Sequence, residues 1–437
     1  MRLIRLGEAF VRSAAYERRF LAKNPWDFSM VVWIPFLTVL LIWWIFSQIQ
    51  ITDLPIGVID NDRGPVANTA VRYLEANPNL TVKQLYHSPA AAESAILQRD
   101  IYAVVIIPED FSRNISSSKP SPIVLQVNAQ YGTHSGIIQT SVQSVIATLS
   151  AGVEIQRLVK QGMAPSQAAI NYSPVGIQRI SLFNAATDYQ QFLASTVIPA
   201  LLHILAMVIG ATTIGRELRD KRIGRWYDFI DTGRPDLAQI EENKAAVLGD
   251  GNVQSNDNKP PIPIKDVKSR QVSTLVLLSG LLGKYFWPTL AYSIWSILAL
   301  WLAAPQQIVA ISSLIATYFG LVLLMMLSFW LGAIFTLTSF SLRMGLSATG
   351  FISAPSYAFA GVTFPYIAIS DSAKHWSDAL PLTHYLKLHI AQLQMQAPVA
   401  ISLPIVYGLT IATLITMYLT ALLSKRALAH PERWGAR

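Results

Sequence analysis

The 437-residue sequence contains no cysteine. An exported domain made from this chain therefore folds on its hydrophobic core alone, without disulfides. Charge is scarce too: Asp, Glu, Lys and Arg make up 14% of the residues, against about 25% in soluble domains. With 52% hydrophobic residues, this excludes a wholly soluble protein and indicates an integral membrane protein with soluble parts. A complete phosphate-binding loop is also missing. The nearest approach, Gly280-Leu-Leu-Gly283-Lys284, has Leu278 where a glycine is required and Tyr285 where Ser or Thr is required. It reads as a small-residue turn with an interfacial lysine at the start of a membrane helix, so the chain does not itself hydrolyse ATP by that route. The seven histidines are scattered; His384 and His389 are five apart and fall on different helical faces, so no metal site and no cofactor is expected. The net charge of +8 lies beside hydrophobic runs and is not interleaved with aromatics, which excludes a base-stacking groove and nucleic acid as a partner.

What is present is a set of unevenly spaced hydrophobic runs. Residues 28–46 read FSMVVWIPFLTVLLIWWIF, enough to cross ~30 Å of hydrocarbon at about 1.5 Å per residue. The next such run begins near Phe192. Before the first, Leu3, Leu6, Phe10 and Ala14 recur at helical spacing with Arg12, Arg18 and Arg19 largely off that face, predicting a helix on the membrane surface. Between the two runs, short β patterns alternate with helical ones. Strands are predicted at 56–59, 80–86, 101–107 and 123–127, and helices at 66–75, 90–98 and about 135–162. Such alternation predicts a small α/β domain.

The expected fold class is an α-helical integral membrane protein of six transmembrane helices with this α/β domain inserted. Residues 1–24 form the interfacial helix, 25–48 the first span, and 49–190 the α/β domain with its long returning helix. The second span is 191–214, followed by a charged helix and a polar, disordered insert at 215–272. Further spans are 273–303, 308–338 and 345–368, then short external helices at 369–402, a last span at 403–424 and a tail at 425–437. Lys and Arg cluster at Arg12–Lys23, Arg216–Arg225 and Lys425–Arg426. The positive-inside rule then places both termini in the cytoplasm and the α/β domain outside.

Three places could carry chemistry. Asp60-Asn61-Asp62 ends a strand, where α/β folds often bind metal or phosphate; the same residues also suit a tight turn and a helix cap. His203 lies within the second span, where an ionisable group is either functional or a neutral imidazole bonded to a neighbouring helix. Arg216, Glu217, Arg219, Asp220 and Arg222 leave that span as a mixed-charge helix, either solvated flanking charge or a docking surface for a soluble partner.

Several motifs, in order, resemble those of the membrane subunits of ABC-2 type exporters with a large extracytoplasmic domain between the first two spans. They are Asn24-Pro-Trp26, the Pro55–Arg63 and Ala103–Phe111 segments, Gly215-Arg-Glu-Leu-Arg-Asp-Lys-Arg-Ile-Gly224, Leu282-Gly-Lys284, Gly361-Val-Thr-Phe-Pro365 and Leu380-Pro-Leu-Thr-His-Tyr385. Arg225-Trp226 depart from the pattern, in which Thr usually follows Gly224, and the insert at about 233–272 is longer than expected. The resemblance implies a permease in the bacterial inner membrane that dimerises with a second copy or a paralogue. It implies a separate ABC ATP-binding subunit docked near Arg216, Glu217, Arg219, Asp220, Arg222 and Gly224, and a possible periplasmic adaptor. An outer gate would be built from Gly361, Phe364, Pro365, Pro381, Leu382, Thr383 and Tyr385. The cargo would be an amphipathic or hydrophobic solute such as a drug or lipid. The alternative is a membrane-anchored receptor or scaffold whose external domain binds a ligand or an envelope partner.

Overall fold

The computed structural model describes residues 2–47, 51–172, 183, 188–233, 272–304 and 309–435. It divides into two compact units, residues 48–186 and the remainder. Most of the polar insert expected at 233–272 lies outside the described residues. The chain opens with α1 (Arg2–Lys23), α2 (Pro25–Val31) and α3 (Trp33–Ile45). Asn24 is extended and Pro25 sits in the first turn of α2, where its missing N–H costs nothing. Pro35, in the first turn of α3, cannot donate to the carbonyl of Val31, four residues back. That carbonyl accepts instead from the Trp295 indole at 3.4 Å. The two helices meet at a 42° bend.

The unit of residues 48–186 is an α/β sandwich. Its strands are β1 (Leu54–Asp60), β2 (Leu80–Leu85), β3 (Ala103–Ile107) and β4 (Val124–Val127), in the order β2-β1-β3-β4. β1 is parallel to β2 and β3, whereas β4 runs antiparallel to β3. Parallel neighbours need crossovers, supplied by α4 (Pro65–Glu75) and α5 (Pro89–Leu97). After β3 come α6 (Phe111–Ser116), then past β4 α7 (Gly132–Lys160) and α8 (Pro165–Tyr172). Ile56, Val58, Val105 and Ile107 project to one face, where α4 brings Ala67, Ala70 and Leu74. α7 covers the same core with Ile138, Val142, Val145 and Leu149, a single helical stripe. Ile59 and Val104 point the other way, onto Ala92 of α5. The four strands and α4, α5 and α7 lie where the sequence pattern predicts them, whereas α6 and α8 are additional.

The second unit returns through a π-helical turn, Gln190–Ala194, into α9 (Ser195–Arg219) and α10 (Ile223–Thr232). It continues with α11 (Thr274–Ala303), α12 (Ile311–Ser339), α13 (Leu342–Ser353), α14 (Ser356–Phe359), α15 (Asp371–Ala379), α16 (Pro381–His389) and α17 (Val399–Ala429). α9 and α12 pack backbone to backbone. A Cβ placed on Gly210 would stand 2.1 Å from the Phe329 carbonyl oxygen, and one on Gly332 would stand 2.1 Å from that of Met207. Glycines facing each other in this way let two membrane helices approach where no hydrophobic drive would join them.

By length and composition, five helices among the described residues could cross a bilayer, or six if the bent pair α2–α3 is one span. One of the five is α7, whose apolar stripe is used on the sheet of the other unit. The stretch 345–368, expected as the fifth span, is not one continuous helix. α13 has twelve residues and stops at Ala354-Pro355; α14 adds one turn, and Gly361 then takes a left-handed conformation at φ +79°. Twelve residues rise only about 18 Å of the ~30 Å hydrocarbon layer, and α14 continues the traverse: Leu342 lies against Gly215 near one end of α9, whereas Tyr357 bonds to Thr196 near the other. Its composition is apolar enough, but Pro355, Gly361 and Pro365 interrupt the backbone.

Candidate functional site

The last turn of α9 carries Arg216 and Glu217 into the interior. Arg216 is 5% exposed and Glu217 2%, so neither is the solvated flanking charge that their position at a span end suggests. Arg216 donates to the Glu17 carboxylate and lies 3.7 Å from that of Asp27. Lys284 of α11 is fully buried; its Nζ stands 2.7 Å from Glu217 Oε1 and 3.4 Å from Glu17 Oε2. Two cations and three carboxylates thus bind α1, α2, α9 and α11 into one network. Isolated, each such charge would be very costly to bury, so the pairing is what permits the burial.

Aromatic faces complete the enclosure. The Arg216 guanidinium lies 3.8 Å from the centroid of Phe20, and Lys284 Nζ lies 4.8 Å from Tyr16 and 5.3 Å from Trp226, geometry that adds cation–π attraction. Burial, reinforced by the Glu217 charge, pushes the Tyr16 phenol well above its usual range, so it stays neutral. Trp226 fills the space between α1 and α10 and donates to Ser13 Oγ at 3.2 Å. Next to the network, Gly283 lets α11 close on α1: a Cβ there would meet the Phe10 carbonyl oxygen at 2.2 Å. Ser279 Oγ donates to the Leu6 carbonyl and the Trp287 indole to that of Ala14.

The packed face of α1 therefore runs through Ala9, Ser13 and Glu17. It is centred on small residues and one acid, with Ala14 buried and Leu6 and Phe10 of the predicted stripe half-buried beside it. Lys284 is likewise no interfacial lysine. Glu17, Asp27 and Lys284 escaped the sequence reading, although the signal was present. An ionisable residue inside an apolar thirty-residue helix defaults to function, and that argument applies to Lys284 as much as to His203.

Beyond Glu217 the surface changes. Arg219, Asp220, Lys221 and Arg222 are exposed, and Lys221 turns the chain at φ +55° into α10. Arg219 Nε donates to Asp220 at 2.8 Å and holds that carboxyl below its ordinary range. Gly224 is half-buried against the Trp434 ring. The six residues named for docking a partner thus divide: Arg216 and Glu217 face inward, Arg219, Asp220 and Arg222 face solvent, and Gly224 is half-buried.

The residues named for an outer gate also divide. Leu382, Thr383 and Tyr385 of α16 are buried, with Tyr385 against Gly320 of α12, while Phe364 and Pro365 are exposed. Pro381 opens α16 in its first turn. The loop after Gly361 is tied back to α15 and α16. Tyr366 donates to Asp378 at 2.8 Å, and Lys387 Nζ stands 3.7 Å from Asp378 and 4.6 Å from the Tyr366 ring centroid.

His203 makes a 2.6 Å bond through Nδ1 to Ser328 Oγ, and Ser328 donates to the Leu324 carbonyl. The hydroxyl hydrogen being committed, Nδ1 is the donor. This is the imidazole bonded to a neighbouring helix; its Nε2 takes no hydrogen bond from the described residues. Asp60 and Asp62 build a turn. Asp60 Oδ1 accepts from the amides of Asp62 and Arg63, and Asp62 Oδ2 accepts from the Gly64 and Ser112 amides and from Ser112 Oγ. Ser112 Oγ in turn accepts from the amides of Val66 and Ala67 at the start of α4. Among the described residues no group of three His, Cys, Asp or Glu could hold a metal.

Residues 25–227 match the model of a family described as ABC-2 family transporter protein. The matched segment runs from the bent α2–α3 pair through the α/β unit to α10, and it contains Asp27, Arg216 and Glu217. This segment, a little under half of the chain, is therefore similar to ABC-2 family transporter proteins. Membrane components of ABC-2 transporters normally pair with an ATP-binding subunit. A crystal structure of a domain ascribed to an ABC type-2 transporter from Thermotoga maritima MSB8 is 18% identical, with a TM-score of 0.21, over 28% of this chain and 81% of that one. Among curated proteins no significant match is found.

Proposed function

We propose that this chain is the permease subunit of an ATP-driven ABC-2 type exporter in the bacterial inner membrane. It works as a dimer with a separate ATP-binding subunit and moves an amphipathic or hydrophobic solute outward. Both termini and the Asp220–Arg222 turn face the cytoplasm, and the α/β unit faces outward, where it is available to cargo or an adaptor. The observation that carries the reading is the adjacency of exposed and buried charge at the end of α9. Arg219, Asp220 and Arg222 offer a partner both signs of charge. One turn earlier Arg216 and Glu217 grip α1 and α11.

A force on the exposed turn is therefore delivered to two further helices through ion pairs rather than through loops. Among the described residues, Glu17 Oε2, Arg216 Nε and Glu217 Oε2 take no hydrogen bond in this arrangement. A buried polar network with spare capacity can be re-paired in a second arrangement, which is what a two-state transporter needs at a coupled element. At the opposite end, α13 to α16 and the Gly361 loop supply the irregular backbone of an outer gate.

Co-expression with an ATP-binding subunit tests this. The wild-type pair is expected to co-purify, and Arg219→Glu/Arg222→Glu to lose the partner while leaving the permease folded. Retention of the partner by the double variant, with ATPase activity unchanged, would remove the docking assignment.

A further inference from the structure

A groove of about 340 Å³ runs between the end of α1, the α2–α3 elbow and α11, lined by Leu21, Val31, Trp287, Ala291 and Ile294, with Arg18 at its rim. Its size is that of a small-molecule site. Its wall is apolar apart from the rim. The one polar group that Trp287 could turn into it is already committed to the Ala14 carbonyl, so the indole presents a hydrocarbon face.

The charge around this groove is unbalanced. Arg18 is exposed, and among the described residues it makes no ion pair. The acids nearby are engaged elsewhere: Glu8 by Arg12, and Glu17 and Asp27 by Arg216. Arg19 adds a second exposed cation beside it. Trp26 and Trp33 flank the elbow with 72% and 53% of their surface exposed, as tryptophans at headgroup depth do. An occupant must therefore carry an alkyl chain for the groove and an anion for Arg18, and must reach the groove from the bilayer interface.

We infer that the groove binds one anionic phospholipid, its acyl chain against Trp287 and Ala291 and its headgroup phosphate on Arg18. The bound lipid fixes the elbow against α11, next to the ion network at Glu17. The inference needs only that α2–α3 and α11 stand in a bilayer and is independent of the ATP-driven cycle.

Delipidated full-length chain, titrated with equimolar phosphatidylglycerol and phosphatidylcholine and read by native mass spectrometry, tests it. Wild type is expected to take up one phosphatidylglycerol with about fivefold preference, the factor that one arginine near a membrane surface supplies. Arg18→Gln, a surface change that leaves the fold intact, is expected to erase the preference. Ala291→Trp, which fills the groove, is expected to reduce uptake of both lipids. Equal uptake of the two lipids by wild type, or an undiminished preference in Arg18→Gln, overturns the proposal whatever Ala291→Trp does.

Discussion

Lys284 Nζ and Glu217 Oε1 stand 2.7 Å apart on α11 and α9, with both side chains shielded from water. Glu17 completes the pairing from α1, so three helices that are distant in sequence share one set of charges. Such a set contributes little net stability when intact, but losing one member leaves the others buried and uncompensated.

Lys284→Met is therefore expected to destabilise the membrane unit by ~3–5 kcal/mol, seen as a lowered unfolding midpoint in detergent. Lys284→Met/Glu217→Gln is expected to recover a substantial part of that loss, because the orphaned carboxylate is removed with its partner. If the double variant lost the sum of the two single effects, the two groups would not be coupled.

The contact of α9 with α12 depends on the absence of a side chain. Gly210→Ala is expected to lower thermal stability by several degrees, since its Cβ would enter the Phe329 backbone. Gly408→Ala in α17 has open space around its Cβ. It is expected to leave the unfolding temperature unchanged or slightly raised, through helix propensity alone.

In the α/β unit, Ser112→Ala removes a hydroxyl that accepts from two amides of α4 and donates to Asp62. A loss of ~1–3 kcal/mol is expected, together with faster amide exchange at Val66 and Ala67. Asp60→Asn is expected to leave transport intact, because Asp60 serves a turn; abolished transport in a folded Asp60→Asn variant would restore a chemical role.

The α/β unit was legible in the sequence almost element by element. Short apolar strands such as Ile56–Ile59, closed by turn residues, and amphipathic helices such as α4 are local patterns that the sequence shows directly. The ion network was not. Glu17 and Lys284 are 267 positions apart, and each alone looks like an ordinary interfacial charge; only the approach of α11 to α1 at Gly283 turns them into partners. The breaks within 345–368 are hidden from the sequence pattern for a related reason. Hydropathy averages over a window, whereas Pro355 and Gly361 act at single positions. The Asp60-Asn61-Asp62 turn and the bonded His203 were each among the readings that the sequence left open.

Orientation in the membrane underlies the whole functional account, and the cysteine-free chain makes it directly measurable. Single-cysteine variants Glu93→Cys in α5 and Arg222→Cys after α9 are treated on intact cells with a membrane-impermeant maleimide. The account predicts that position 93 is labelled and position 222 reacts only after the cells are broken. Labelling of position 222 from outside, with position 93 spared, would contradict it.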